Sequence, residues 1–247
     1  MARTHQLRRT SEAMRHGEHH HRNVAGGAAR AAVFGVSDGL VTNVSVILGV
    51  AGGAHYDPGI VRLAGLVSLV AGAISMALGE YISMTAQTEL LEAELELERT
   101  ELRRRPDLEH RELAQIYRSR GVDPELADEL ATEMMSSPEL ALETHAREEL
   151  GIDPGSLGSP PKAAASSFVS FAIGALAPLL PWFFGGGRGS VIASVVLGAV
   201  AAVSVGAALA RFTKRSILRS ALRQLVLSGA AAACSFGIGS AVGVNVG

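Results

Sequence analysis

Nineteen of the chain's 24 acidic residues fall in one block, residues 87–153, and long apolar segments flank it on both sides. The block also holds eight arginines and no lysine, a formal balance of −11, whereas the rest of the 247-residue chain carries +9. The near-neutral total of −2 therefore conceals an anionic unit set into an apolar protein. A dense patch of carboxylates concentrates cations at its surface, and carboxylate oxygens suit divalent metal ions. The pattern points to cation collection beside a membrane.

Between Arg30 and Tyr56 the one charged residue is Asp38. A helix of about 20 apolar residues crosses the roughly 30 Å hydrocarbon core of a bilayer. Five segments reach that length: 29–54, 60–85, 163–184, 190–212 and 217–246. The buried part of the last is expected to begin near Leu225, because Arg219 and Arg223 precede it. The predicted fold class is all-α, a polytopic membrane protein with five transmembrane helices and a cytoplasmic helical metal-binding insert between spans two and three. Residues 1–28 read as a polar His/Arg-rich tail, 29–86 as spans one and two, 87–153 as the acidic module, 154–162 as a linker and 163–247 as spans three to five. The basic residues of the tail, the module and the Arg211–Arg223 stretch belong on one face, leaving only Arg62 and Arg188 in the opposite loops. The positive-inside rule places that face in the cytoplasm, and an odd number of spans sends the carboxyl terminus to the other side. The expected location is the plasma membrane in a prokaryote and a storage-organelle membrane otherwise. The tail lacks the apolar core of a cleaved signal peptide, so the first span is expected to direct insertion. Cys234 is the only cysteine, which leaves no disulfide frame or thiolate cluster, and it is expected to serve as a small packing residue.

The second span has no break at its end. Residues 83–104 contain neither Gly nor Pro and are mostly good helix formers, so one long helix is expected to leave the bilayer and stop at Pro106. Further helices are predicted over 108–120, from the Asp123-Pro124 start to about residue 135, and from Ser137-Pro138 to Gly151. Gly65, Gly72 and Gly79 recur every seven residues in the second span, and Gly35 and Gly39 make a small-xxx-small pair in the first. Such stripes allow close helix packing, within a subunit or between subunits. Pro178 and Pro181 are expected to kink or end the third span.

Within the spans, Asp38 lies eight residues past Arg30, roughly 12 Å of helix rise. A charge at that depth costs on the order of 3 kcal/mol and usually faces a polar interior. The alternative is a carboxylate that snorkels to the membrane edge. Met76 and Glu80 are four residues apart on one face of the second span, and Glu80 reads as similar in depth to Asp38. A carboxylate and a thioether together suit a transition ion, although a lone Met in a membrane helix is also ordinary packing.

In the module, Glu94, Glu98 and Glu101 share one stripe, bordering an apolar stripe of Leu91, Leu95 and Leu102. Two Glu-x-x-Glu pairs, Glu98/Glu101 and Glu109/Glu112, flank a short turn and converge if the helices fold back. The competing reading of any single Glu is a solvated acidic face. The tract of His16, His19, His20 and His21 is either a weak ion binder or a plain tail. No phosphate-binding loop is present, which argues against nucleotide drive. The Glu-rich helices offer Glu-x-x-Glu where a di-iron oxidase would carry Glu-x-x-His pairs. The arginine clusters lack interleaved aromatics, so nucleic acid is not an expected partner.

Residues 31–43 (AAVFGVSDGLVTN) and 71–83 (AGAISMALGEYIS) closely resemble the first two spans of the vacuolar iron transporter family. The Glu-rich insert, Arg147-Glu148-Glu149-Leu150-Gly151 and Pro178-Leu179-Leu180-Pro181 extend the resemblance over most of residues 24–247. It implies a five-span homodimer that exchanges cytosolic Fe2+, often also Mn2+ or other divalent ions such as Zn2+ or Co2+, for protons. No permanently bound cofactor is implied. It also implies metal ligation by Glu98, Glu101, Glu109, Glu112 and Glu149, and a translocation path at the dimer interface lined by Asp38, Met76 and Glu80. Glu149 enters only through this resemblance. Where some family members carry a Met pair, this chain has His145-Ala146. His145 is either a ligand in place of a thioether or an exposed helix residue. The expected function is a proton-coupled antiporter exporting Fe2+ from the cytosol, not an enzyme. The alternatives are a membrane-anchored metal-binding or sensing protein and a membrane ferroxidase.

Overall fold

The computed structural model of the protein describes residues 27–243 except 152 and 157, and those residues contain helices and no strand. The His16–His21 tract and residues 244–247 lie outside them. The helices are α1 (Gly27–Gly53), α2 (Pro58–Arg104), α3 (Pro106–Ser119), α4 (Pro124–Met134) and α5 (Pro138–Glu148), then α6 (Pro160–Leu179), α7 (Pro181–Phe184), α8 (Gly187–Thr213) and α9 (Ile217–Val242). Five of them, α1, α2, α6, α8 and α9, are long and apolar enough to cross a membrane. Their outward faces carry large apolar side chains, among them Leu63, Val67, Ile74, Leu78 and Ile82 of α2 and Val226 of α9. Contiguous exposure of this kind is foreign to a water-soluble surface and normal in lipid.

The 47 residues of α2 form one uninterrupted helix, about 70 Å long at 1.5 Å per residue. Asp57 caps its start by accepting from the Ile60 amide at 2.9 Å. Pro106 stops it, because a proline disfavours helical backbone in the residue before it. Beyond it the caps fall where the sequence placed them: Asp123 accepts from the Glu125 amide at 3.0 Å and Ser137 from the Leu140 amide at 3.2 Å. The core shared by α3 and α4 is small, consisting of Leu113, Ala114, Tyr117, Ala127 and Ala131. Of these, α3 also packs on α2, as does α5, while α4 rests on α3 and α5.

In the membrane bundle α1 crosses α6 with backbones nearly touching. A Cβ added to Gly35 would stand 2.9 Å from the Ser167 carbonyl oxygen, and one on Gly39 or Gly174 would collide with the facing backbone at Phe171 or Val36. The seven-residue glycine stripe of α2 divides. Gly65 and Gly72 face Leu179 and Phe171 of α6 within the subunit, whereas Gly79 has nothing within 4 Å.

The third span breaks after Leu179, so its two prolines act as expected, and α6 begins at Pro160, inside the anticipated linker. Ser194 braces the break: its hydroxyl donates to the Pro178 carbonyl at 2.7 Å and accepts from Trp182 Nε1 at 2.9 Å. One expectation fails. Cys234 lies exposed on α9 rather than packed between helices, because it sits on the outward side of a helix that is itself at the bundle's edge.

Candidate metal centre

The module's helices bring four side chains to one point. Glu98 comes from α2, Glu109 from the first turn of α3, and His145 and Glu149 from one face at the end of α5. One donor atom from each lies within 4.8 Å of all the others. His145 Nδ1 stands 3.1 Å from Glu98 Oε1, 3.6 Å from Glu149 Oε2 and 3.9 Å from Glu109 Oε2. Glu98, Glu109 and His145 are buried, with His145 fully enclosed.

The local sequence explains the convergence. Glu98 follows Leu95 by three residues, so it turns with that leucine toward the packing face of α2, and both are buried. The Pro106 turn folds α3 back so that Glu109 meets Glu98. The i, i+4 spacing of His145 and Glu149 stacks them one turn apart.

The electrostatics are unbalanced. Burial, reinforced by the Glu98 charge, pushes the carboxyls of Glu109 and Glu149 above the ordinary range. Burial alone would lower the His145 pKa, but the carboxylates of Glu98, Glu149 and Glu109 outweigh it and hold the ring above its usual value. Glu98 Oε1 and both ring nitrogens of His145 are buried with no hydrogen-bond partner among the described residues, because the close His145–Glu98 approach lacks hydrogen-bonding alignment. The neighbouring arginines are engaged elsewhere, Arg147 with Glu143 and Asp153, and Arg120 with Glu148. Buried carboxylates without a counter-cation are costly, and a divalent ion is the group that would satisfy these donors together.

Glu101 and Glu112 do not join this inner set. Glu101 is half-buried and Glu112 exposed, and both act on Glu109 only as nearby charges. Of the two Glu-x-x-Glu pairs, one member of each converges and the other stands at the rim.

Asp38, Met76 and Glu80 occupy α1 and α2 differently from the expectation of equal depth. Glu80 accepts an ion pair from Arg30 at 3.1 Å, while Gly65 faces Ile47. In that antiparallel register Asp38 stands opposite Ala73, roughly 10 Å of helix rise beyond Glu80. The sequence misjudged this because it measured each residue from its own end of the span. The register is set by the glycine contacts with α6. The three residues form a staggered series, Glu80 nearest the module, Met76 next and Asp38 deepest. Thr42 Oγ1 lies 3.5 Å from Asp38 Oδ1, whereas Asn43 turns away and donates to the Ala175 carbonyl at 2.6 Å. Met76 packs beside Ala73, Phe171 and Ala175. A cavity of about 400 Å³ between α1, α8 and α9 is lined by residues such as Val44, Leu48 and Phe236 and includes none of the three.

Sequence reasoning missed the Arg30–Glu80 pair, although each stands at the same end of its span. A family model described as the VIT family matches residues 29–240. The chain belongs to the VIT family. Over 222 residues it is 33% identical to vacuolar iron transporter 1 of Eucalyptus grandis, covering 88% of each chain. Vacuolar iron transporter 1 of Arabidopsis thaliana is 31% identical over 216 residues, covering 86% of this chain and 85% of its own. The vacuolar iron transporter of Acanthamoeba castellanii is 40% identical over 162 residues, 65% of this chain and 58% of that one. These VIT relatives are named as transporters rather than enzymes, and membership makes this chain, with its five apolar helices, an integral membrane protein.

Proposed function

We propose that the protein is a proton-coupled antiporter that exports Fe2+, and with it other divalent transition ions such as Mn2+, from the cytosol to the outside or a storage compartment. Metal-ion transport is the activity its VIT relatives support. The observation that carries the reading is the cluster of buried Glu98, Glu109 and His145 with exposed Glu149 beside them, holding unpartnered donors and anchored through Glu98 to the helix continuous with the second span.

In this account the amino terminus and the module face the cytosol. The rim carboxylates Glu101 and Glu112 draw cations in, and the inner four hold one. The ion then meets Glu80, Met76 and Asp38 in the order of their depth. Protons from the far side compete for the carboxylate oxygens, and a neutral carboxyl no longer holds a divalent ion by charge, so the ion departs and the proton is carried inward. The open space beside Gly79, continued by the exposed small residues Ala71 and Ser75, fits a second copy of α2 packed there. The path would then lie between two subunits.

The test is metal-driven proton movement in proteoliposomes with a trapped pH dye. Fe2+ added on the module side is expected to move protons toward that side. Fe2+ flux with no proton movement would remove the coupling, and no Fe2+ flux would remove the function.

A further inference from the structure

We infer that His145 makes the module's inner cluster a mixed nitrogen–oxygen site that favours Fe2+, Co2+ and Zn2+ over Mn2+, Mg2+ and Ca2+. This deepens the proposed function, since it rests on the reading that the cluster holds the transported ion.

A site of three carboxylates alone offers only hard oxygen donors, and these suit Mg2+, Ca2+ and Mn2+. An imidazole nitrogen moves preference toward the later first-row ions. The geometry places that nitrogen as a donor. His145 Nδ1 faces an oxygen from each of Glu98, Glu149 and Glu109 at 3.1, 3.6 and 3.9 Å. These spacings straddle the ~3.4 Å edge of a tetrahedron whose bonds to the metal are about 2.1 Å. The ring is fully buried and neither nitrogen has a hydrogen-bond partner among the described residues. With the proton on Nε2, the Nδ1 lone pair points among the carboxylates. Mg2+ gives up its waters reluctantly, so a site with three buried donors, Glu98, Glu109 and His145, disfavours it further.

The experiment is competitive binding of Co2+ and Mn2+ to the full-length protein in nanodiscs at one equivalent of metal, together with X-ray absorption of the bound Co2+. His5, His16, His19, His20 and His21 are changed to Ala in every sample, so that the tail supplies no imidazole. The unaltered cluster is expected to prefer Co2+ and to show imidazole scattering around it. His145→Glu is expected to lower the Co2+ to Mn2+ affinity ratio by at least about tenfold, with Mn2+ binding retained and the imidazole signal lost. His145→Gln, closer in size to the native ring, repeats the measurement should the added charge disturb folding. An unchanged ratio, or imidazole scattering that persists in both variants, overturns the inference while leaving the cluster as a metal site. Failure of Glu98→Gln/Glu109→Gln to weaken binding of either ion overturns the cluster itself.

Discussion

Arg30 Nη2 meets Glu80 Oε1 at 3.1 Å, and this ion pair joins the first turns of α1 to α2 at the end of the bundle nearest the acidic helices. Arg30 is mostly exposed while Glu80 is largely covered, so the guanidinium occupies a carboxylate that would otherwise be open to an entering cation. An ion pair with one exposed partner contributes little to stability.

Arg30→Gln is therefore expected to leave the melting temperature nearly unchanged. Removing a competitor worth up to about 1 kcal/mol should lower the half-saturating Fe2+ concentration by about fivefold. Initial transport rates against Fe2+ concentration check this. An unaltered half-saturation would make the pair purely structural.

Gly39 and Gly79 should respond oppositely to alanine. A Cβ on Gly39 runs into the backbone of Phe171, whereas one on Gly79 meets nothing within 4 Å. Gly39→Ala is expected to cost about 1–3 kcal/mol through overpacking. Within one subunit Gly79→Ala should be neutral or stabilising by up to about 1 kcal/mol, since alanine is the better helix former, so a loss approaching that of Gly39→Ala would mark the proposed second copy of α2 at that face. Thermal melts in detergent distinguish the two.

The metal-free module should lose stability as pH rises. Glu109 and Glu149, raised first by burial and then by Glu98, and His145, raised by its carboxylate neighbours against the effect of burial, all bind protons more tightly folded than unfolded. The folded state thus holds more protons, and its stability falls with pH from above the ordinary carboxylate range through the raised His145 value. Melts of metal-stripped protein between about pH 5 and pH 8 should show a falling midpoint. Added Co2+ should reverse the trend, because it binds the deprotonated donors.

Much of this architecture could be read from local chemistry. The five spans follow from apolar length, the unbroken α2 from the lack of Gly and Pro after Ser83, and the starts of α4 and α5 from Asp123-Pro124 and Ser137-Pro138. What local pattern did not contain was register between helices. Nothing in the spacing of Glu98, Glu101, Glu109 and Glu112 distinguishes the two that are buried from the two at the rim, because that depends on where α5 docks. Glu149 was visible only through family resemblance, and His145 stood between ligand and surface residue until its burial among three carboxylates was seen. The staggering of Asp38 and Glu80 was hidden for the same reason, since close packing on α6 sets how far α2 slides along α1.

The central claim is that a carboxylate deep in the first span holds the metal ion and gives it up to a proton. The most direct measurement is Fe2+ transport by Asp38→Asn in proteoliposomes under an imposed pH gradient, beside the unaltered protein at equal reconstitution. Asparagine keeps the size and polarity of the side chain but has neither its charge nor its titratable proton. The account predicts loss of gradient-driven Fe2+ flux while metal binding to the module is retained. Flux at the unaltered rate, with the same dependence on the gradient, would contradict it.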